Sequence, residues 1–318
     1  MVESTLLPAT LAAGVILLML KLWYKSTSSD LPLPPSPRSY PIIGNLLSMP
    51  QTFEHLAFEK IGKQLGSDIF SLSVFGTTLV VLNSARAAGD LFEKRSTIYS
   101  DRVCPPMLGE PSLLDAGSMM IVVGYNDRWR RYRRMLHPWL QKKATETFYT
   151  AQEHQARLLL RRLLDSSHHL GSSRELEGEL YRAVAATIFK SVYGYDVKSA
   201  DDHFMALTKE ASDNLGHGIL ASNFFVNVFP ALVHLPDWFP GTNWKKTAHK
   251  WRKQKEEAVN GIYNWTKAQI AQGINEPSII ASLLSDSHEL DLEDSEVDND
   301  VKYMAFTLIT GKSNLLSL

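Results

Sequence analysis

The stretch Asp127-Arg-Trp-Arg-Arg-Tyr-Arg-Arg134 places five arginines within eight residues and is the most informative part of the sequence. Trp129 and Arg133 are four positions apart, so a helix would put both on one face. The indole N–H and the guanidinium are hydrogen-bond donors, and together they can hold a carboxylate, the arginine through the stronger, charge-assisted bond. The alternative is a solvated basic helix that packs its tryptophan into the core.

Helical periodicity surrounds this stretch and continues through the chain. Apolar residues recur at helical spacing in segments 126–140, 146–164, 175–193, 201–215 and 244–272. Upstream, β-branched and apolar runs at 69–74 and 78–82 flank Gly76-Thr77 and predict a hairpin. Segment 286–300 is strongly acidic and predicts a solvated connection. The predicted fold class is therefore mainly α with small β hairpins.

Length and composition limit the classes of protein that fit. The 318 residues suffice for one large domain or two ordinary ones, and 44% hydrophobic residues suit a packed core. A formal net charge of -1 disfavours nucleic acid as a general partner, because phosphate binding needs a surplus of basic residues. The single cysteine, Cys104, excludes an internal disulfide framework and a multi-thiolate zinc site, and it indicates a reducing compartment.

Segment 4–24 predicts a transmembrane anchor, because it carries no charged side chain before Lys21 and has the length needed to cross a bilayer. Lys21 and Lys25 lie at its C-terminal side, so the positive-inside rule places the following domain in the cytosol. The alternative is a cleaved signal peptide, which is disfavoured because no basic residue precedes the apolar stretch. The proline-rich run 31–45 predicts an extended hinge.

Several short motifs follow one another in a recognisable order. They are Pro34-Pro-Ser-Pro37 with Pro41-Ile-Ile-Gly-Asn45, Ile98-Tyr-Ser-Asp-Arg102, Trp129-x-x-x-Arg133, Tyr193-Gly-Tyr-Asp196 and Leu235-Pro-Asp-Trp-Phe-Pro-Gly241. This ordered set resembles the cytochrome P-450 family, in particular its membrane-anchored fungal members. The resemblance implies the N-terminal part of that fold over residues 46–311, preceded by one transmembrane helix and the hinge.

The resemblance also implies a haem site. Trp129 and Arg133 would contact one haem propionate, and Arg102 would contact the other. Segment 104–123 would be the B–C loop that covers the haem pocket. Segment 127–134 resembles the family's C helix, and its Arg130, Arg131 and Arg134 point away from the face that carries Trp129 and Arg133. The basic surface near this helix would dock an NADPH-dependent flavoprotein reductase.

An apolar set in segment 219–241 would line the F–G region, which could contact the membrane lipid and admit a small apolar substrate. Ordinary core is the alternative for each of its members. The set comprises Phe224, Phe225, Val228, Phe229, Leu232, Trp238 and Phe239.

By resemblance, the function is a monooxygenase reaction that uses haem, dioxygen and electrons from NADPH, at the endoplasmic reticulum with the main domain in the cytosol. The family binds iron through a cysteine thiolate in a downstream loop, whereas Cys104 lies in an unrelated motif. The family's later Glu-x-x-Arg pair is also missing, because Glu179-Leu-Tyr-Arg182 comes too early and predicts at most an exposed helical ion pair. His168-His169 are interpreted as surface residues rather than metal ligands.

The sequence departs from the family pattern after Gly311. Lys312 takes the place of a glycine, Asn314 that of an acid and Leu315 that of a threonine, so 312–318 is interpreted as a divergent tail. We therefore expect no catalytic or metal-binding residues in this chain and no activity from it as given. The alternative to a monooxygenase is a membrane-anchored remnant without catalysis.

Overall fold

The structure is a computed structural model that describes residues 32–41, 43–50, 53–165, 172–220, 223–274, 276–285 and 294–311. The predicted anchor 4–24, the tail 312–318 and residues 286–293 lie outside these ranges, as does His168-His169. Within them, no helix is both long enough and apolar enough to span a bilayer. Contacts divide the chain after Ser100 into two units, which are described separately.

The first unit contains a two-stranded hairpin and short helices. Its elements are α1 (Glu54–Leu65), β1 (Ile69–Val74), β2 (Thr77–Leu82), α2 (Ala85–Ala88) and α3 (Ser96–Tyr99), with a 3-10 helix at Leu46–Ser48 and a π-helical turn at Gly89–Glu93. The predicted hairpin is confirmed, with pairs running from Ile69–Leu82 to Val74–Thr77. Its two-residue turn has positive φ at both Phe75 (48°) and Gly76 (84°), which matches the twist of the strands.

Asn45 fastens the proline-rich hinge to β1. Its side-chain amide donates to the carbonyls of Pro37 (3.0 Å) and Arg38 (3.2 Å), and its Oδ1 accepts from the Ser73 amide (2.8 Å). Prolines lack a backbone N–H, so the prolines of the hinge can take part in such hydrogen bonds only through their carbonyl groups. Gly44 before it has φ +62°, and a Cβ there would lie 2.0 Å from the Ser73 carbonyl oxygen, so only glycine fits.

The second unit is helical. Its α-helices are α4 (Pro106–Gly109), α5 (Asp127–Leu140), α6 (Lys142–Thr145), α7 (Tyr149–Asp165), α8 (Ser173–Tyr193), α9 (His203–Ile219), α10 (Asn243–Ala271), α11 (Ile279–Ser285) and α12 (Asp294–Thr310). Short 3-10 helices occur at Glu146–Phe148, Phe225–Asn227 and Pro230–His234. The five predicted helices are α5, α7, α8, α9 and α10, so periodicity identified each of them.

Side-chain caps set where these helices begin. Asn126 accepts from the Trp129 amide at the start of α5, Ser172 from the Glu175 amide at α8, and Asp202 from two amides at α9. The predicted starts therefore differ from the observed ones by a few residues. Gly194, with φ 69°, ends α8 in the left-handed conformation.

Two hydrophobic clusters fill the second unit. The first joins α5, α8, α10, α11 and α12, and its fully buried members include Tyr132, Phe189, Tyr193, Ile262 and Met304. The second packs residues 104–123, which we call the B–C segment, against α9, α10 and α12. It includes Met107, Leu114, Leu215, Val259 and Phe306. The B–C segment is therefore a core component and not only a surface loop.

One sequence-based expectation is wrong, and one motif has a different partner from the one considered. The acidic segment 286–300 was expected to be solvated, but 294–300 begins α12 and Asp300 is fully buried, because two arginines of α5 pair with it. Glu179-Leu-Tyr-Arg182 was interpreted as an exposed helical ion pair at most, and Glu179 pairs instead with Arg162 of α7 (2.5 Å). Helices α7 and α8 pack side by side, so a partner on the neighbouring helix lies closer than one on the same helix.

Candidate carboxylate-binding site

The structure brings the three predicted haem-contacting residues together. The Arg133 guanidinium carbon lies 5.2 Å from the centroid of the Trp129 ring, and that of Arg102 lies 5.9 Å from it. The Tyr125 ring packs against the same indole at 4.8 Å between centroids. We call Arg102, Trp129 and Arg133 the carboxylate clamp.

Local backbone interactions hold the clamp residues in place. Asn126 caps α5 through the Trp129 amide (3.0 Å). Asp101 accepts from the amides of Tyr125 (2.8 Å) and Arg102 (2.9 Å), which joins the segment that carries Arg102 to the start of α5. These two backbone hydrogen bonds lower the pKa of the Asp101 carboxyl.

Among the described residues, the clamp has one buried donor without an acceptor and two exposed cations without a carboxylate partner. Trp129 Nε1 is buried and has no hydrogen-bond partner among the residues that the structure describes. Within the same ranges, neither Arg102 nor Arg133 pairs with a carboxylate. A buried N–H without a partner costs about 1–3 kcal/mol, so an acceptor supplied from outside these residues would be stabilised here. An indole donor beside two cations suits a carboxylate.

Three of the other four arginines of α5 are paired. Arg130 donates to Asp127 (2.8 Å). Arg131 donates to Asp300 Oδ2 (2.9 Å), and Arg128 Nε lies 3.0 Å from Asp300 Oδ1 without the alignment of a hydrogen bond. Only 21% of the Arg131 side chain is exposed, so it does not belong to the expected basic docking surface. Arg130 and Arg134 remain exposed.

Three basic side chains of α10 hold the B–C segment through its carbonyl groups. Lys255 donates to Leu114 O (2.9 Å) and Asp115 O (2.5 Å). Arg252 donates to Pro111 O (2.5 Å), and His249 Nε2 lies 3.0 Å from Ser112 O. Burial lowers the pKa of Lys255 to about 8. Sequence reasoning missed these residues, because hydrogen bonds to backbone carbonyls leave no side-chain motif.

A small pocket lies between the B–C segment, α9 and α12. It is lined mainly by apolar side chains, with two hydroxyls among them. Its lining residues are Leu108, Met119, Ile121, Ser212, Leu215, Gly216, Ile219 and Thr310. The cavity measures about 30 Å³, which is room for about one water molecule and too small for a substrate.

Cys104 lies half-buried beside α4. Its Sγ is 3.9 Å from the Pro105 carbonyl oxygen, and burial raises the pKa of the thiol. A raised pKa disfavours the thiolate, which is the form that binds metals. Among the described residues, no group of three or more His, Cys, Asp or Glu side chains could hold a metal ion.

The aromatic set of the F–G segment is divided between core and surface. Trp238 is 80% exposed and Phe225 77%, with Phe229 and Phe239 also exposed. Phe224 instead packs on Trp251 of α10 with ring centroids 5.6 Å apart. Ordinary core therefore explains Phe224 but not the four exposed rings.

Comparison with known proteins identifies the family. The sequence profile of the cytochrome P-450 family matches residues 34–311. A cytochrome P-450 monooxygenase of Armillaria gallica is 31% identical over 279 residues, which cover 87% of this chain and 54% of the relative. Cytochrome P-450 monooxygenase 208 of Postia placenta is 33% identical over 284 residues, covering 89% and 54%. This chain therefore belongs to the cytochrome P-450 family, and it spans about half the length of these curated relatives.

Proposed function

We propose that this chain supplies the propionate-binding part of the haem site of a fungal cytochrome P-450 monooxygenase. The enzyme would insert one oxygen atom of dioxygen into a small apolar substrate, with electrons from NADPH delivered by a flavoprotein reductase. The observation that carries the proposal is the buried Trp129 N–H, which has no acceptor among the described residues, beside two exposed arginines that lie over its ring. Membership of the family supports haem as the group that provides the missing carboxylates.

Each group of residues has a separate task in this proposal. Haem, when bound, supplies the activation of dioxygen. Trp129 donates a hydrogen bond to a propionate, and Arg133 and Arg102 offset the negative charge of the two propionates.

A comparison of haemin with its dimethyl ester tests the clamp, because the ester lacks the carboxylates and keeps the ring. We expect the chain to bind haemin more tightly than the ester in an absorbance titration. Trp129→Phe removes the N–H together with the pyrrole part of the ring, and Arg133→Gln and Arg102→Gln remove the charge and shorten the side chain. Each should reduce the preference for haemin roughly ten-fold, as expected for the loss of one hydrogen bond to a charged group.

Arg134→Gln is the matched control, because Arg134 is exposed on the same helix and lies outside the clamp. It should leave the preference for haemin unchanged. Equal affinities for haemin and the ester in the unmodified chain, or the same loss in Arg134→Gln as in Arg133→Gln, would contradict the proposal.

A second candidate is a chain that does not catalyse alone, and the state of Cys104 favours it. The thiol is half-buried with a raised pKa, which does not suit the iron ligand of this family. We expect the isolated chain with haemin to give no reduced-carbon monoxide band of the thiolate type. A band that disappears in Cys104→Ser would show instead that Cys104 binds the iron.

We also propose a single-pass anchor in the endoplasmic reticulum membrane with the main domain in the cytosol. The exposed rings of Trp238 and Phe225 support a second contact with lipid. The full chain should stay in the membrane fraction through alkaline carbonate washing, and deletion of residues 1–30 should weaken this retention. A full chain that washes off freely would contradict the anchor.

The reductase partner would approach the exposed basic groups of α5. Arg130 and Arg134 are the arginines of this helix that are exposed and lie outside the clamp, and Asp127 partly neutralises Arg130. We expect Arg134→Glu to slow association with a reductase more at low salt than at high salt, because screening removes steering. Identical salt dependence in the variant and the unmodified chain would refute this docking surface.

A further inference from the structure

Asp300 is the one fully buried acidic side chain among the residues that the structure describes, and it joins α12 to α5. Arg131 donates to its Oδ2 at 2.9 Å, and Arg128 Nε lies 3.0 Å from its Oδ1. Arg128 immediately precedes Trp129 on α5. The pair of arginines and the two clamp residues of α5, Trp129 and Arg133, therefore belong to the same two turns of one helix.

A second contact on the same face of α5 reaches the B–C segment. Arg128 Nη1 donates to Ser118 Oγ (2.7 Å), and Tyr132 Oη donates to the Ser118 carbonyl (2.7 Å). Moving α5 by one residue would rotate its side chains by about 100° and shift them by about 1.5 Å. Such a movement would leave the buried carboxylate of Asp300 without its partners, which is strongly unfavourable.

Asp300 also determines which arginines of α5 are available to a ligand. It pairs with Arg128 and Arg131, whereas Asp127 pairs with Arg130. Within the described residues, Arg133 and the exposed Arg134 have no carboxylate partner, and Arg133 supplies the unpaired charge that lies over the Trp129 ring. The ionic contacts of α5 thus fix both its rotation and the position of its unpaired charge.

We propose that Asp300 is a positioning residue for the carboxylate clamp: it holds α5 in the rotation that directs Trp129 and Arg133 toward the propionates. Asp300 would not touch haem itself and would act through Arg128 and Arg131. The inference rests on the proposed function of the clamp. Asp300 lies on α12 and pairs with Arg128 and Arg131 rather than with any of the three clamp residues, so its role is additional to theirs.

The test uses Asp300→Asn, which keeps the shape and removes the charge. Hydrogen exchange of the 127–140 amides is measured first, in the full chain without haemin. We expect faster exchange there than in the unmodified chain. The preference for haemin over the dimethyl ester should also fall roughly ten-fold, as losses of orienting partners do at other ligand sites.

Glu179→Gln is the control, because Glu179 and Arg162 form another partly buried pair between two helices of this unit. It should lower the unfolding midpoint while leaving α5 exchange and the preference for haemin unchanged. If Asp300→Asn does not fold, Arg128→Gln and Arg131→Gln are measured instead, since each leaves Asp300 with one partner.

The outcomes separate the inference from the proposed function. If Trp129→Phe reduces the preference for haemin and a folded Asp300→Asn does not, the clamp stands and the positioning role is overturned. If the unmodified chain shows no preference for haemin, the proposed carboxylate-binding role of the clamp is refuted, and the positioning role of Asp300 is refuted with it. Unchanged exchange of 127–140 in Asp300→Asn, or in both arginine variants, also overturns the inference.

Discussion

Raising the pH from about 7.5 to about 9.5 deprotonates Lys255 in the folded protein before it does so in the unfolded chain. Lys255 is 1% exposed, and its ammonium donates to two carbonyls of the B–C segment. Burial lowers its pKa from the ordinary value of 10.5 to about 8. That difference corresponds to a penalty of about 3 kcal/mol on the folded protein with Lys255 charged.

The sign of the pH dependence follows from which state holds the proton. Below pH 8 both states are protonated, so the folded protein bears the whole penalty. Above it the folded state releases the proton while the unfolded chain keeps it until about 10.4, so stability rises with pH. By pH 9.5 the gain should approach about 2 kcal/mol, since each pH unit contributes about 1.4 kcal/mol.

The Cys104 thiol acts in the opposite direction, because its raised pKa makes the unfolded state lose a proton first. Urea unfolding is therefore measured in a Cys104→Ala background. The free energy of unfolding should rise over this pH range relative to that of Lys255→Met. Both proteins share the opposite contribution of buried and partly buried tyrosines whose pKa is raised, so the difference between the two curves isolates Lys255. Lys253→Met is the control, since Lys253 is exposed on the same helix, and it should keep the rise. Parallel curves for the Lys255→Met and Lys253→Met proteins would refute the reasoning.

Two further pairs of variants test packing and capping in α9. Gly218→Ala should destabilise the fold by about 1 kcal/mol, because the new Cβ would lie 2.6 Å from a methyl group of the buried Leu108; Gly216→Ala has open space and should stabilise it by about 0.5–1 kcal/mol. Thermal unfolding gives both values, and the reverse order would contradict the packing. Asp202→Ala should cost about 2–3 kcal/mol in urea unfolding, because the buried carboxylate accepts from three amides and a tyrosine hydroxyl. Asp201→Ala, at the exposed neighbour, should change stability by less than about 0.5 kcal/mol, and equal losses would contradict the cap.

The sequence was sufficient where the physical cause is local. Helical periodicity follows from burial of one face, and the β-branched runs at 69–74 and 78–82 follow from the hairpin. The spacing of Trp129 and Arg133 placed both on one face of α5, as observed. The resemblance added Arg102, and the structure places its guanidinium near the same indole.

The sequence was insufficient where the cause is a distant partner. Asp300 lies in an acidic segment, which by composition belongs in solvent, but Arg128 and Arg131 draw it into the interior. Lys255 appears in a run of charged residues on α10, and only the carbonyls of Leu114 and Asp115 explain its burial. Neither partner can be read from the local pattern of charges.

The five arginines of α5 show how such partners separate structure from function. A charge run is usually a solvated face, and here one member has a partner three residues away while two share a carboxylate of another helix. Those partners account for Arg128, Arg130 and Arg131 as structural groups. Arg133 remains as a cation without a carboxylate in the described residues, next to a buried Trp129 N–H without an acceptor. Arg133 and Arg134 are exposed to solvent, whereas the Trp129 N–H is buried without an acceptor among the described residues. Folding alone does not explain this buried donor, and this is why we propose that the clamp binds a ligand.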